Sequence, residues 1–468
     1  MDNSFAYRSA VELKAAIEAR KVSPVEVTRA SLERQSALQQ KLNSFATPTP
    51  ELALEAAKAA EKKIMAGEDA GLLSGLPVSV KDVLPVEDVQ LNLGSRAFAD
   101  NVALIDAPPV ERLKAHGGSI IGKTTTSELG CKAVGDCPLT GITRNPWNTD
   151  KTPGGSSAGA AASVAAGITP FAICTDGGGS VRIPCALSGL FGIKPQFARV
   201  PIFPASAAPT LAHVGSVART VRDAALLLSV IAGPDRRDPF SVAEPTPDFL
   251  DACERPIEGM RIAWSPTYGY AKPNSEVVAI CEEAASVFED LGCDVETVDD
   301  VTGGDPGDLW TSEFYAGIGT RLKPVLEQNA DILDPVVVDI LSSALDQTLE
   351  SYYSNVFRRY DFRERMRAFF DDYDLLLSPT LPVSAFDVGL DIPKGLPDDR
   401  NAVSWVYYTY PFNLTGQPAA SIPAGFSGDG LPVGLQMVTR INAETDIFRA
   451  AAAFEAARPW ADRTPPLD

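Results

Sequence analysis

Histidine is nearly missing from this chain: His116 and His213 are the only two in 468 residues. Two imidazoles cannot build a His-rich metal site, and they leave few candidates for histidine catalysis. Ordered cysteine spacing is missing too. The seven cysteines, Cys131, Cys137, Cys174, Cys185, Cys253, Cys281 and Cys293, are odd in number, scattered and without a C-x-x-C pair, which disfavours a disulfide framework or zinc knuckle. Positive charge is in deficit: 41 Lys plus Arg stand against 61 Asp plus Glu, a net charge of −20. That balance repels phosphate backbones and anionic lipid, so unassisted binding to nucleic acid or a membrane surface is disfavoured. Long apolar runs are lacking as well. Met1 to Lys21 has no apolar leader core, and the uncharged stretch Ala158 to Cys174 is largely Ala and Gly and is cut by Pro170. The expectation is a soluble cytoplasmic protein.

What is present is enough chain to bury a large core. A soft prior of about 150 residues per domain allows three domains or one large α/β unit. No internal repeat, low-complexity tract or long linker appears, which favours a single unit over 1–468. Within it lie N-terminal helices (1–70), a core (71–240), a helical insertion (305–375) and a C-terminal part of the core (376–468).

Helical patterns cover Ala10 to Arg20, a second segment opened by Ser23, Pro24 and Glu26 in a capping arrangement, and Glu51 to Met65. After Gly71 short apolar runs at Pro77 to Val80, Ser119 to Gly122 and Pro170 to Cys174 alternate with longer segments, the pattern of an α/β layered sheet. Thr220 and Asp223 cap a helix from Val221 to Ala232, stopped by Gly233 and Pro234. Arg261 to Ser265 predicts a strand, Ser275 to Leu291 a helix and Cys293 to Val298 a strand. Leu309 to Asp372 is mostly helical and reads as an insertion covering something. Ala419 to Pro423 and Pro432 to Val438 read as strands, and Ala443 to Ala457 as a closing helix.

Three constellations suggest chemistry. Gly117, Gly122, Lys123 and Thr124 satisfy the G-x-x-x-x-G-K-[ST] phosphate loop. That loop needs a strand before it and a helix after it, whereas Pro109 to His116 reads as a helix and Ser119 to Ile121 as a strand. Gly155, Ser156, Ser157, Ala158 and Gly159 satisfy G-x-S-x-G, with Asp176 and His213 following in the order of a Ser-Asp-His esterase. The strand that an elbow needs is absent from polar Asn145 to Gly154, so His213 reads as structural, beside a Pro-rich loop. The third constellation is longer. Lys81 ends the apolar strand Pro77 to Val80, where desolvation lowers an amine's pKa; the alternative is a surface lysine paired with Asp82. Gly154-Gly155-Ser156-Ser157 opens a small-residue helix whose N-terminus offers N–H groups to both hydroxyls. Thr175-Asp176-Gly177-Gly178-Gly179-Ser180 ends the next strand, with glycines that let N–H groups converge on an oxyanion.

Together these segments resemble the amidase signature family. Gly154 to Gln196 is similar to that signature nearly end to end, and PVSVKD around Lys81, GKTTTSELG, TGITRNPWN, NLTGQPAASIP and GLPVGLQ occur in the family's order. The resemblance spans most of the chain except about Leu309 to Asp372. It implies a large mixed central β-sheet covered by helices on both faces, and amide hydrolysis without metal or other cofactor. Residue by residue, Lys81 matches the base, Ser156 the bridging serine, held there in a cis peptide, and Ser180 the nucleophile. Gly177, Gly178, Gly179 and Ser180 match the oxyanion segment, and Ser157, Thr175, Asp176 and Arg182 the polar residues supporting it. A homodimer is the family's frequent arrangement.

The family's tRNA-linked glutaminase branch carries an acid shortly before N-L-[AT]-G. Here Ser404 to Phe412 has none, which favours a self-contained amidase acting on a small-molecule amide. Cys131, Tyr353, Trp405 and Tyr408 are candidates for a pocket selecting an aryl or other hydrophobic amide, with ester or carbamate side activity. The alternative is that these rings pack the core beneath the insertion.

Overall fold

The computed structural model describes residues 5–396, 400–402 and 404–467. Residues 1–4 of the Met1 to Lys21 reading lie outside the described residues. In chain order the strands are β1 (Phe45–Pro48), β2 (Pro77–Lys81), β3 (Ser119–Thr124), β4 (Asp136–Cys137), β5 (Gly141–Ile142), β6 (Phe171–Asp176), β7 (Phe191–Lys194), β8 (His213–Ala218), β9 (Arg261–Trp264), β10 (Asp294–Thr297), β11 (Leu375–Pro379), β12 (Ala419–Phe426) and β13 (Pro432–Val438). Eleven of them form one sheet in the order β1-β3-β2-β6-β8-β7-β12-β13-β11-β9-β10, while β4 and β5 pair by themselves. The sheet is mixed. β3, β2 and β6 run parallel, as do β11, β9 and β10, and the strands between β6 and β11 are antiparallel.

Helices cover both faces, and β6 shows why. Alternate side chains of a strand point to opposite faces. Phe171 and Ile173 join the large core that includes Ala224, Leu227 and Leu228 of the helix Val221–Ile231. Ala172 and Cys174 face the other way, onto Ala160, Ala161 and Val164 of the helix Ala158–Ala165. Small residues along that second helix let it lie close to the sheet.

The expected elements form, with revised ends. Ser23 Oγ accepts from the Val25 and Glu26 N–H groups while Glu26 accepts from the Ser23 N–H, completing the capping box of Pro24–Leu42. Strands β2, β3 and β6 run beyond their apolar centres, because backbone pairing continues through polar residues, as in Lys81 opposite Thr124. Strands β1, β7, β8 and β11 were not anticipated. β7 (FGIK) and β8 (HVGSVA) interrupt any alternation with glycine and polar residues, and they hold as strands because each has a hydrogen-bonded neighbour on both sides. The stretch Leu309 to Asp372 resolves into the helices Gly307–Gln328, Pro335–Leu345 and Leu349–Asp372.

Candidate active site

Lys81 is the last residue of β2, and β6 lies parallel beside it with Val80 opposite Ile173. The carboxyl ends of both strands therefore open at the same edge of the sheet, the usual place for a ligand crevice in open α/β sheets. The Lys81 side chain is fully buried. Its Nζ donates to Ser156 Oγ at 2.7 Å and to Thr175 Oγ1 at 2.9 Å. Burial lowers its pKa to about 8, against a smaller upward pull from Cys174 and Asp176. The surface-lysine alternative does not hold: the partner of Asp82 is Lys123, at 3.0 Å, in a pair that is itself buried.

Ser156 sits just before the helix Ala158–Ala165, and the Gly155–Ser156 peptide bond is cis. Ser157 turns its hydroxyl to the Thr175 carbonyl at 3.2 Å rather than capping the helix. Thr175 and Asp176 finish β6, and Gly177 to Ser180 make the turn into the helix Arg182–Ser188. Five positions of chain thus separate Lys81's second hydrogen-bond partner from Ser180. Gly178 and Ser180 line a narrow cavity together with Gly130, Cys131, Trp310 and Phe314. Gly130 connects the two places: it lines this cavity, and a methyl group on it would stand 3.3 Å from Ser156 Oγ.

A buried polar network stands behind the turn. Asp176 accepts from the Gly179 and Val181 N–H groups at 2.7 and 3.1 Å, and from Arg182 Nε and Nη2 at 3.0 and 2.9 Å. Arg182 continues to the Thr409 carbonyl, Gln436 Oε1 and Asn413 Oδ1. Burial alone would raise the Asp176 pKa, but the Arg182 guanidinium, Lys194 and Asn413 hold it well below the usual carboxylate range. The carboxylate is therefore a fixed charge.

The two competing motifs do not assemble. Gly117 (φ +77°) follows the helix Pro108–Ala115 and leads into β3, so helix precedes strand and Lys123 is consumed by Asp82. His213 opens β8 opposite Asp176 in register. Its Nδ1 meets the Leu211 carbonyl at 2.8 Å, and burial keeps the ring well below ordinary histidine pKa. It shares no hydrogen bond with Ser157. Among the described residues no group of three or more His, Cys, Asp or Glu is arranged to hold a metal ion.

Of the four pocket candidates, Cys131 lines the cavity. The other three lie elsewhere. Trp405 is buried against Phe386, and Tyr408 sends its hydroxyl to the Pro266 carbonyl at 2.5 Å. Tyr353 is half exposed on the outer face of its helix, in contact with Tyr352 and Phe357. The aromatic wall is made instead by Trp310, Phe314 and Tyr315, with Val406 beside them. The three rings of this wall lie on the helix Gly307–Gln328, whereas Tyr353 lies on the helix Leu349–Asp372. The readable signal was Trp310 and Phe314 four residues apart, on one face of Gly307–Gln328.

The profile of the family described as Amidase matches residues 26–307 and 326–448. The chain belongs to the amidase signature family. This amidase is 35% identical over 463 residues to an acylamidase of Rhodococcus erythropolis, covering 98% of this chain and 97% of that one. It is 32% identical to a glutamyl-tRNA(Gln) amidotransferase subunit from Methylococcus capsulatus, covering 98% of both chains. Among solved structures, a bacterial aryl acylamidase of the amidase signature enzymes superposes with a TM-score of 0.91 at 30% identity, over 98% of each chain. The amidase is a hydrolase of carboxylic-amide C–N bonds. Trp310, Phe314 and Tyr315 fall between the two stretches matched by the family profile, so the aromatic wall belongs to the part of the chain that the profile leaves out.

Proposed function

We propose that this amidase cleaves a small amide bearing an aryl or other hydrophobic group, through an acyl-enzyme on Ser180. The observation that carries the reading is the buried Lys81 amine 2.7 Å from Ser156 Oγ, a hydroxyl that lies beside Gly130, which lines the same cavity as Ser180. Neutral Lys81 takes the Ser156 proton, Ser156 takes that of Ser180, and the Ser180 oxygen attacks the amide carbonyl. N–H groups of the Gly177 to Ser180 segment receive the negative charge that develops on the carbonyl oxygen. The relay then runs backwards: the proton passes to the amine nitrogen, the C–N bond breaks and the amine departs. Water, deprotonated by the same pair, attacks the acyl carbonyl, and the Ser180 oxygen leaves as the free hydroxyl. Esters present the same carbonyl with an easier leaving group and are substrates on this reading; carbamates are side substrates.

The aryl preference is supported by the ring wall of Trp310, Phe314 and Tyr315 and by the likeness to an acylamidase and an aryl acylamidase. The likeness to the amidotransferase protein favours a second reading, glutamine hydrolysis within an assembly. The absence of an acid from Ser404 to Phe412 weighs against it. A homodimer belongs to the proposal, supported by the exposed stripe Leu349, Tyr353, Phe357 and Tyr360 on one helix. So does a cytoplasmic location: all seven cysteines are free, and among the described residues no helix is long and apolar enough to cross a membrane.

The test is a hydrolysis screen of anilides, short aliphatic amides, carbamates and glutamine with the purified protein, alongside fluorophosphonate labelling. Turnover of anilides and an adduct on Ser180, both lost in Ser180→Ala, are expected. Turnover that survives Ser180→Ala and disappears in His213→Ala would transfer the chemistry to the esterase-like motif.

A further inference from the structure

The three peptide units between Gly177 and Ser180 are held in an alternating pattern. A trans peptide is planar and its C=O and N–H point in opposite directions, so fixing one end aims the other. In the first unit, the Gly177 carbonyl accepts the Trp310 indole N–H at 2.8 Å, which aims the Gly178 N–H the other way. In the second unit both ends are taken. The Gly178 carbonyl lies 2.6 Å from the Thr409 hydroxyl, and the Gly179 N–H donates to Asp176 Oδ1 at 2.7 Å. In the third unit the Gly179 carbonyl accepts the Ile183 N–H at 2.7 Å, which aims the Ser180 N–H away from that helix. The N–H groups of Gly178 and Ser180 have no partner among the described residues, and these are the two residues of the turn that line the cavity.

The holders are themselves fixed. Trp310 stacks on Tyr410 with ring centres 5.2 Å apart and planes 8° apart, and on Phe314 at the same separation. Thr409 is fully buried, and its carbonyl accepts Arg182 Nη1 at 2.8 Å. Contact is close enough to forbid side chains on the turn: a methyl group on Gly178 would come within 2.3 Å of Trp310 Cζ2, and one on Gly179 within 2.3 Å of Thr409 Oγ1.

Building on the acyl-enzyme reading, we propose that Trp310 and Thr409 are positioning residues for a two-donor oxyanion subsite made by the Gly178 and Ser180 N–H groups, with the Gly179 N–H excluded from it. Trp310 comes from the insertion, outside the stretches matched by the family profile. The helix that supplies the aromatic wall therefore also sets the donor geometry, and substrate choice and rate are coupled through one side chain.

The experiment compares Trp310→Phe, Thr409→Val and Thr409→Ser with wild type on 4-nitroacetanilide, and measures inhibition by benzeneboronic acid, whose Ser180 adduct is tetrahedral. Removing an oxyanion donor outright costs on the order of a hundred- to a thousand-fold in kcat. Misaiming a donor is therefore expected to cost roughly ten- to a hundred-fold in Trp310→Phe and Thr409→Val, with KM within about two-fold. The boronate affinity should fall by the same factor as kcat/KM, and Thr409→Ser, which keeps the hydroxyl, should restore kcat. A kcat unchanged in both variants, or a kcat loss that Thr409→Ser shares, overturns the proposal. If Thr409→Val fails to fold, Trp310→Phe, which keeps an aromatic ring between Tyr410 and Phe314 and removes the N–H together with part of the indole, decides through the match between its kcat/KM loss and its boronate affinity. Activity retained in Ser180→Ala overturns the acyl-enzyme reading itself, so the two failures are distinguishable.

Discussion

A lysine able to accept a proton near neutral pH has to be made so by its surroundings, and at Lys81 burial is the agent. Its pKa of about 8 means that the neutral amine is the minor form at pH 7 and the major form at pH 9. On the proposed relay, kcat/KM rises with pH and levels off above about pH 8; a profile highest at pH 5 would remove Lys81 from the base role. The same shift has a cost in stability. Between about pH 8 and an unfolded value near 10.5 the unfolded chain binds the proton that the native one has lost. The penalty of the buried charge is therefore complete below pH 8 and fades as pH rises through that window. The displacement is worth about 3 kcal/mol at about 1.4 kcal/mol per pH unit. Lys81→Met forfeits the hydrogen bonds to Ser156 and Thr175, about 1 kcal/mol each. The inactive variant should thus be more stable at pH 7 by roughly 1 kcal/mol, an advantage that shrinks at pH 10; urea denaturation at the two pH values measures both.

At the scale of elements, the turn after β6 depends on the strand and helix that meet there. Asp176 closes the strand, Arg182 opens the helix, and the ion pair between them is wholly buried. Cutting one partner leaves an uncompensated charge in the interior, at a cost of about 3–5 kcal/mol. Asp176→Ala and Arg182→Met should each lower stability by about that amount, while the double variant loses less than the sum. Additive losses in thermal denaturation would mean that the two side chains do not act as a unit. The helix Gly307–Gln328 shows the complementary case. Its pattern was legible as helix, but nothing in the one-dimensional pattern said that its first two turns would meet the Gly177 and Gly178 backbone, because that contact spans more than 130 positions of sequence. The stretch Ser404 to Phe412 misleads for a similar reason. Its aromatic residues fill the core beneath the insertion, and Thr409, the least conspicuous among them, is the one that reaches the turn.

At the scale of the whole molecule, the helix Leu349–Asp372 buries Arg359, Phe362, Met366 and Phe370 and leaves Leu349, Tyr353, Phe357 and Tyr360 outside on a different face. With Leu349 75% and Phe357 64% exposed, that stripe is larger than scattered surface apolar residues require. The proposed dimer should have twice the chain mass in sedimentation, and Phe357→Glu should shift it to monomer without loss of anilide turnover. A wild-type protein that sediments as monomer at micromolar concentration rejects the dimer. Lys132 ties the molecule together from the inside: it reaches Asp136, Asp334 and Asp391 at 3.3, 2.7 and 2.9 Å. The cavity wall at Cys131, the cap of the helix Pro335–Leu345 and a distant loop are thereby joined at one ammonium.

The sequence by itself determined the α/β class, the capped helices and the strand centres, because these follow from local periodicity and from residues within a few positions of one another. It also singled out Lys81, Ser156 and Ser180, since a long glycine- and serine-bordered pattern is specific even in one dimension. Only the tertiary structure decided which lysine is buried beside a serine and which is paired with a carboxylate: Asp82 follows Lys81 directly in sequence, yet it pairs with Lys123 of the neighbouring parallel strand. It alone showed that the rings lining the cavity beside Ser180 are Trp310, Phe314 and Tyr315, and not Tyr353, Trp405 or Tyr408. The physical reason is common to both cases: desolvation and cavity walls are produced by segments that are distant along the chain and adjacent in space.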